Sequence, residues 1–594
     1  MICLACVLAV APQVAAEQYR VIQNRADFGW LNQYSLDDAA HDFVGAEACV
    51  PTSSTNAMTF FQNAYEFYFA DRLTGRSYAD WIETDTLLIT EPYMDTQPGE
   101  GTGAQDALRG LEKYILADNG FDLVSIEGMI PAEVFDPIQP DYPGRDRIID
   151  AIPTWEFIES SLAAGNATLI NFFYPDMEGG HSILVTGFDW VDANGDGVIQ
   201  ESEGAKLYAV DPLDPSQTYP DGQPGGGAKF TEIDVWNDPE DGVLLLSYSQ
   251  YSGSLPYDPE AYFTTEGDGL LLALSINTQR VQDFIASVES AGFFFSDFPE
   301  STVRDQAVYQ TRLQRRAGIN LRHARVGETD FWGSAEGGDA EMTYGDRRPR
   351  AAMVGVERRF SETAMVGAAL RVDDSRSDWN DAGDLKRRDY KASLYGGYLQ
   401  GALSLTGALT VGRQDYDSIR RFSIGDETRQ HAGDTRGDIL AGGVELDYTM
   451  EAGALMHGPF ARLLAQHVRV NGYTEDAQDG EQSTRLTVGS QRYGSLAGAL
   501  GWQFARTAGS WTPYGSVALN HEFDGDAEEL ALTSWAGSEM TLPLDSSRKA
   551  YRTLNLGVVK TLASGVRLAV DLDLRNDSER GTDRWVSASV TVPL

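Results

Sequence analysis

The spacing of apolar residues along the chain changes character near residue 325. Before that point they recur at helical intervals in three stretches. In Thr52 to Ala70, Met58, Phe61, Tyr65 and Tyr68 share roughly one face. Leu108, Leu111 and Ile115 do the same in Ala107 to Ala117, which stops at the C-cap signal Asn119-Gly120. Thr154 to Ala164 opens on a capping threonine and closes at Gly165-Asn166. Short apolar runs follow at 168–174, 182–188, 207–210, 243–248 and 270–274, bounded by Gly, Pro, Asn and Asp, and read as strands. Helices first and strands afterwards predict an α+β domain. Residues 277–324 read as a connector with two helical stripes, the first through Val281, Phe284, Ile285 and Val288. The second, Val303 to Ala317, is basic at its end.

Beyond 325 the period becomes two. Val566, Leu568, Val570, Leu572 and Leu574 point one way, while Arg567, Asp571, Asp573 and Arg575 point the other. Leu403, Leu405, Leu409 and Val411 alternate with polar neighbours, and the chain closes on Val586, Ala588, Val590, Val592 and Leu594. Strands of about ten residues separated by long polar loops, here Asp373 to Arg388 and Asp415 to Gly437, predict a transmembrane antiparallel β-barrel. A soluble β-sandwich alternates as well. No run reaches the ~20 apolar residues of a spanning helix, so any membrane crossing is made of strands. A chain of 594 residues also exceeds one ordinary core.

Charge separates the same two regions. The net charge is -43, yet only eleven of the 46 Lys and Arg precede residue 301. An acidic surface of that kind repels phosphate backbones, which excludes nucleic acid as a partner. Met1 to Ala16 is apolar and ends in Val14-Ala-Ala16 before Glu17, the pattern of a signal peptide. Removing it leaves one cysteine, Cys49, which cannot pair within its own chain. An unpaired thiol exported to an oxidising compartment is chemically exposed, and its presence asks for a reason.

Cys49 precedes Pro51 and the helix that Thr52 opens. A helix N-terminus favours negative charge and so favours a thiolate. Two histidines share this half of the chain, His41 and His181. His181 starts an apolar strand in Gly179-Gly-His-Ser-Ile-Leu-Val-Thr-Gly-Phe-Asp189, and Asp211 ends the next strand, before Pro212. If the two strands pair, a carboxylate can orient the imidazole. His41, eight residues from Cys49, is the rival base and Asp189 the rival orienter. Gln33 is the upstream amide for an oxyanion hole. Aromatic and acidic loops at Asp80 to Gly103 and Tyr248 to Tyr262 offer a binding face, the feature of a non-enzymatic surface module.

Two resemblances sharpen this reading. Phe331-Trp-Gly-Ser-Ala-Glu-Gly-Gly338, Met353-Val-Gly-Val-Glu357, Met365-Val-Gly-Ala-Ala-Leu370, Leu394-Tyr-Gly-Gly-Tyr398 and Gly458-Pro-Phe460 leading to Val470-Asn-Gly-Tyr-Thr-Glu475 resemble the translocator barrel of autotransporters. That resemblance implies signal peptide, passenger and a C-terminal barrel of about twelve strands threaded by a helix, for which Val303 to Ala317 is the candidate. It also implies outer-membrane lipid and barrel-assembly machinery as partners, with the passenger at the cell surface or released. Such barrels usually end in an aromatic residue, and this chain ends in Leu594.

Gln33, Cys49-Val-Pro-Thr-Ser53, Leu162-Ala-Ala-Gly165, Gly180-His181 through Gly187-Phe-Asp189, and Asp211-Pro212 follow the order of papain-like cysteine peptidases of the bacteriocin-processing (C39-like) type. By that resemblance Cys49 is nucleophile, His181 general base, Asp211 orienter and Gln33 oxyanion donor. The expected substrate is a peptide or protein, and the expected state is a monomer. An amidase or transglutaminase-like reaction on the same triad, and an inactive papain-like adhesin, are the alternatives. The expected layout is signal peptide 1–16, papain-like α+β passenger 17–276, linker and pore helix 277–324, and barrel 325–594.

One further motif stands in the passenger. Asp192-Ala-Asn194-Gly-Asp196-Gly197-Val198-Ile-Gln200-Glu-Ser-Glu203 matches the twelve-residue EF-hand loop at every liganding position. Asp192, Asn194, Asp196, the Val198 carbonyl, Gln200 and Glu203 are the expected ligands of a structural Ca2+. The flanks are strands, so the ion would staple a hairpin and act on activity indirectly.

Overall fold

A computed structural model describes residues 16–36, 47–131, 145–173, 180–213, 228–239, 242–247, 270–342, 345–478, 480–524, 529–544, 550–577 and 581–594. The signal-peptide segment, His41 and Tyr248 to Tyr262 lie outside them, apart from Ala16. The chain divides into two compact units, 1–285 with 536–538, and 286–535 with 539–594.

The first unit is mixed α/β. Its strands are β1 (Glu17–Ile22), β2 (Ser125–Met129), β3 (Ile148–Ile149), β4 (Ala167–Phe173), β5 (Gly180–Asp192), β6 (Lys206–Asp211), β7 (Lys229–Asn237), β8 (Leu244–Ser247) and β9 (Leu270–Asn277). They form one sheet in the order β3-β2-β9-β4-β5-β6-β7-β8, with β1 paired to β5. All pairings but β2–β3 are antiparallel. Four of its helices are α1 (Cys49–Ala64), α2 (Tyr78–Ile89), α3 (Ala104–Glu112) and α4 (Trp155–Ala163). Trp155, Ile158 and Leu162 of α4 share a core with Ile170, Ile183, Val185, Phe188 and Trp190 of the sheet.

Residues 80–103, expected as a loop, hold most of α2. Its start is a capping box between Ser77 and Asp80, a short signal embedded in acidic sequence.

α1 departs from the amphipathic helix expected there, because every residue from Val50 to Gln62 is buried. A helix enclosed on all sides must satisfy its polar side chains internally. Asn56 Nδ2 donates to the Leu31 carbonyl at 3.0 Å and Gln62 Nε2 to the Gly75 carbonyl at 2.6 Å. Thr59 donates to the Thr55 carbonyl at 3.0 Å. Ser53 Oγ donates to the Ser182 carbonyl at 3.0 Å, tying the first turn to β5.

The second unit is a barrel of twelve antiparallel strands, closed where Thr329–Met342 pairs with Gly581–Pro593. Leu370, Leu394, Leu409, Leu500, Leu519, Val570 and Val586 stand exposed on its outer face. Their neighbours turn inward, as a membrane barrel requires. The two segments expected as long loops are continuous ladder. Leu403–Ile424 and Glu427–Tyr448, 22 residues each, stay paired from Leu403↔Tyr448 to Ile424↔Glu427. Asp373 to Arg388 belongs to a paired hairpin with a short turn at Asn380–Ala382. Tilted strands of that length rise about 50 Å, twice the ~25 Å apolar band. Outside the band the outer face need not be apolar, so the alternation fades while the hydrogen bonds continue.

A helix, α5 (Gly292–His323), runs inside this barrel and extends past the expected 303–317 at both ends. Tyr309, Leu313, Ala317 and Leu321 pack on Trp332, Met353, Met365 and Tyr395 of the wall. Glycine allows the close approach: a Cβ on Gly443 would lie 2.9 Å from Gln314 Nε2 and 2.4 Å from Leu464. Arg304 pairs with Asp583 at 2.5 Å, Arg316 with Glu357 at 2.6 Å, and Arg312 and Arg315 with Asp573 at 2.7 and 2.9 Å.

Candidate active site

The first turn of α1, the start of β5 and the end of β6 meet at one place. β5 and β6 are neighbours, with Leu184 opposite Val210, which brings His181 and Asp211 to adjacent strand ends. His181 Nε2 and Asp211 Oδ1 lie 2.8 Å apart, both buried. Asp211 Oδ1 also accepts the Leu213 N–H at 2.9 Å, which fixes the carboxylate. Phe172 meets the imidazole edge-on at 5.7 Å between centroids. With Nε2 committed to Asp211, the other ring nitrogen is left for Cys49, whose thiol is hydrogen-bonded to His181.

The charge balance follows from that geometry. Burial pushes the imidazole toward its neutral form, but Asp211 and Cys49 together outweigh burial and raise the His181 pKa to about 9. His181 is therefore an imidazolium at neutral pH. Expected simply as a general base, it sits in the resting site already carrying the proton, next to a half-buried cysteine sulfur that is in no disulfide.

Gln33 reaches this site through the backbone. Its N–H donates to the Pro212 carbonyl at 3.0 Å, next to Asp211. Asn56 clamps the preceding residues, its Oδ1 accepting the Leu31 N–H at 2.7 Å while its Nδ2 holds the Leu31 carbonyl. Gln33 is thus suspended between the Cys49 helix and the Asp211 strand. Asp189 lies away from the imidazole, facing Arg20 at 3.5 Å on β1. The positioning roles of Ser53 and Asn56 are absent from the sequence reading. The signal was there, since an Asn inside a helix costs stability unless its amide is used elsewhere.

The expected calcium loop joins β5 to the short turn before β6. Gly197 has φ +73°. Asp192 Oδ1 and Oδ2 accept the N–H groups of Gly195 and Gly197 at 2.6 and 2.9 Å. Asn194 and Asp196 accept from Asp196 and Val198, each at 2.9 Å. Glu203 folds back on its own loop: Oε1 takes the Ala193 N–H and Oε2 the Trp190 indole N–H, both at 3.0 Å. Gln200 Nε2 bonds Asp196 at 3.2 Å. Gly197 makes the left-handed turn expected of such a loop, but the carboxylates bond the loop itself. Among the described residues no three acidic, His or Cys groups converge on one point.

The fold thus defines a transmembrane β-barrel with an internal helix, preceded by an α/β domain that carries a Cys-His-Asp cluster. Residues 331–573 match the family model of the autotransporter beta-domain. The C-terminal half is an autotransporter barrel of the outer membrane, with the passenger displayed at the surface. The chain is 26% identical over 340 residues to Esterase EstA of Pseudomonas aeruginosa, covering 54% of this chain and 51% of that protein. It is 26% identical over 211 residues to Lipase 1 of Photorhabdus luminescens, covering 35% and 32%. The chain thus spans about half the length, or less, of the curated relatives it matches. The translocator domain of NalP from Neisseria meningitidis is 14% identical over 49% of this chain and 97% of that domain, with a TM-score of 0.39.

Proposed function

We propose that the passenger is a papain-like cysteine hydrolase, a peptidase acting by acyl transfer. The observation that carries this reading is the buried His181–Asp211 pair with the Cys49 thiol bonded to the same imidazole at a helix start. In the proposed cycle Cys49 acts as a thiolate beside the imidazolium of His181: the sulfur attacks the acyl carbon, the C–N bond breaks, and the imidazolium gives its proton to the leaving amine. His181, now neutral, takes a proton from water as it opens the thioester and restores the thiolate. Asp211 holds the ring, and Gln33 with backbone N–H groups faces the oxyanion. Relatives named esterase and lipase support acyl chemistry in general, not this nucleophile.

The test is acyl trapping on the full chain in detergent. Incubation with peptide and simple-ester panels, then mass analysis of the Cys49 peptide, should show a thioester from peptides that Cys49→Ala abolishes. Trapping by esters alone would make it an esterase. A chain that binds peptides without acylation would be a displayed binding module.

We also propose that Ca2+ binds at Asp192, Asn194, Asp196, the Val198 carbonyl, Gln200 and Glu203. Glu203 would have to leave the Trp190 indole to do so, which gives the ion an optical readout. Millimolar Ca2+ should change Trp fluorescence and raise the melting point by a few degrees, an order expected from about 3 kcal/mol of linkage. Glu203→Gln should erase both effects. Identical melting with Ca2+ and with chelator would end this proposal.

A further inference from the structure

α2 lays a carboxyl group against the nucleophile helix that the cycle above does not use. Asp85 is fully buried, and its Oδ2 accepts the Thr52 hydroxyl at 2.7 Å. Thr52 lies three residues after Cys49, and its own N–H bonds the Ala48 carbonyl at 3.0 Å, closing the turn from which the thiol projects. The other Asp85 oxygen, Oδ1, is buried with no partner among the described residues, and no cation there pairs with the group. The titratable group that senses it is Tyr78, one end of the same helix, whose hydroxyl lies 2.5 Å from Ser35, two residues past Gln33. α1 carries no Asp, Glu, Lys, Arg or His, and its one ionisable side chain is Cys49 itself.

We infer that Asp85 is a positioning residue that holds the first turn of α1 through Thr52 and so aims the Cys49 sulfur at His181. This rests on the hydrolase reading. Burial is the dominant influence on Asp85, the Thr52 bond only partly offsets it, and its pKa rises to about 8. The carboxyl is therefore uncharged in neutral solution. Ionisation would put a bare negative charge under the turn that must itself favour a thiolate, with no cation to share it. The device gives the site an alkaline limit separate from the titration of His181.

The sign is testable. Below about pH 4 the unfolded chain also holds this proton, so Asp85 costs nothing. Between about 4 and 8 the folded form alone keeps it, and stability falls as pH rises. His181 contributes no slope until about 6.5, which leaves pH 4.5 to 6 as a window for Asp85.

Full-chain protein in detergent would be compared as wild type, Asp85→Asn and Asp85→Leu, reading passenger melting against pH and site-resolved alkylation of Cys49 from pH 6 to 9.5. Asp85→Asn keeps the acceptor for Thr52 and removes the titration. It should react like wild type at pH 7, flatten the melting slope between 4.5 and 6, and remove the loss of Cys49 reactivity above pH 8. Asp85→Leu strands the Thr52 hydroxyl and should slow alkylation about tenfold at pH 7, the scale of a misaimed group. Overlaying pH profiles for wild type and Asp85→Asn, or a folded Asp85→Leu with an unchanged rate, would overturn the inference. A Cys49 inert in every variant would instead retire the hydrolase reading. The melting slope would then decide Asp85 alone, with an unchanged slope in Asp85→Asn counting against it.

Discussion

Replacing His181 with alanine is expected to slow alkylation of Cys49 at pH 6 by about a hundredfold, because an ordinary thiol at that pH is roughly 0.3% thiolate. On the hydrolase reading a thiolate at Cys49 would lie against the imidazolium, which Asp211 holds in turn. With its pKa raised to about 9, the stabilisation that His181 contributes is fully present below about pH 6.5. It is lost as pH rises through about 9. Wild-type reactivity should therefore hold nearly level from pH 6 toward 8, while His181→Ala should climb steeply through the range of a free thiol. Asp211→Asn should fall between them, since an amide still orients the ring but leaves its charge unmatched. A wild-type profile that climbs like the mutant would mean an unactivated sulfur and would favour the displayed binding module.

How much of this was legible beforehand depended on whether a residue acts through neighbours in sequence or in space. The barrel declared itself because the period-two code is local: Leu568 and Val570 face out and Asp571 and Asp573 in, whatever the rest of the chain does. The same code misplaced the strand ends, since it reports the membrane and not the ladder. At Asp415 to Gly437 the lipid stops and the pairing goes on. In the passenger, Cys49, His181 and Asp211 were nameable from residue type and strand boundaries. Their supports were not. Asn56 holding Leu31, Ser53 holding Ser182 and Asp85 holding Thr52 link residues 25, 129 and 33 positions apart. Enclosure of α1 on every side was hidden as well: the stripe through Met58 and Phe61 predicted the helix but implied an opposite wet face that the helix does not have. The EF-hand-type loop shows the opposite case: the motif is complete in sequence, while its carboxylates are turned to its own amides.

Truncating Arg312 and Arg315 together should lower the melting point of the barrel by about 10 °C, with little effect on Cys49 reactivity. Both guanidiniums are largely buried, and both meet Asp573 from α5, with Arg315 also 3.2 Å from Asp571. The pairs themselves contribute modest net stability, because desolvating the two guanidiniums and the carboxylates of Asp571, Asp573 and Glu336 offsets most of their attraction. Removing only the cations is different. It leaves Asp571 and Asp573 in the lumen with their hydration lost and only neutral donors, the Tyr514 hydroxyl on Asp571 and Asn555 Nδ2 2.9 Å from Asp573, while Glu336, which Arg312 also pairs with, keeps Arg371. Breaking a buried pair from one side costs about 3–5 kcal/mol, and each kcal/mol moves a unit of this size by roughly 2–4 °C. The helix, held elsewhere by Arg304 and Arg316, should loosen along this side of the wall, so the single-channel conductance of the purified protein should rise. The compensating variant decides between charge and packing. Adding Asp571→Asn and Asp573→Asn removes the stranded charges without restoring the arginine stems, and should recover most of the melting point if electrostatics dominates. Recovery of neither melting nor conductance would assign the loss to the stems as space-fillers. An Arg312→Ala, Arg315→Ala barrel that melts like wild type would mean the helix is held by Tyr309, Leu313 and Leu321 against the wall, and the ion pairs set its register alone.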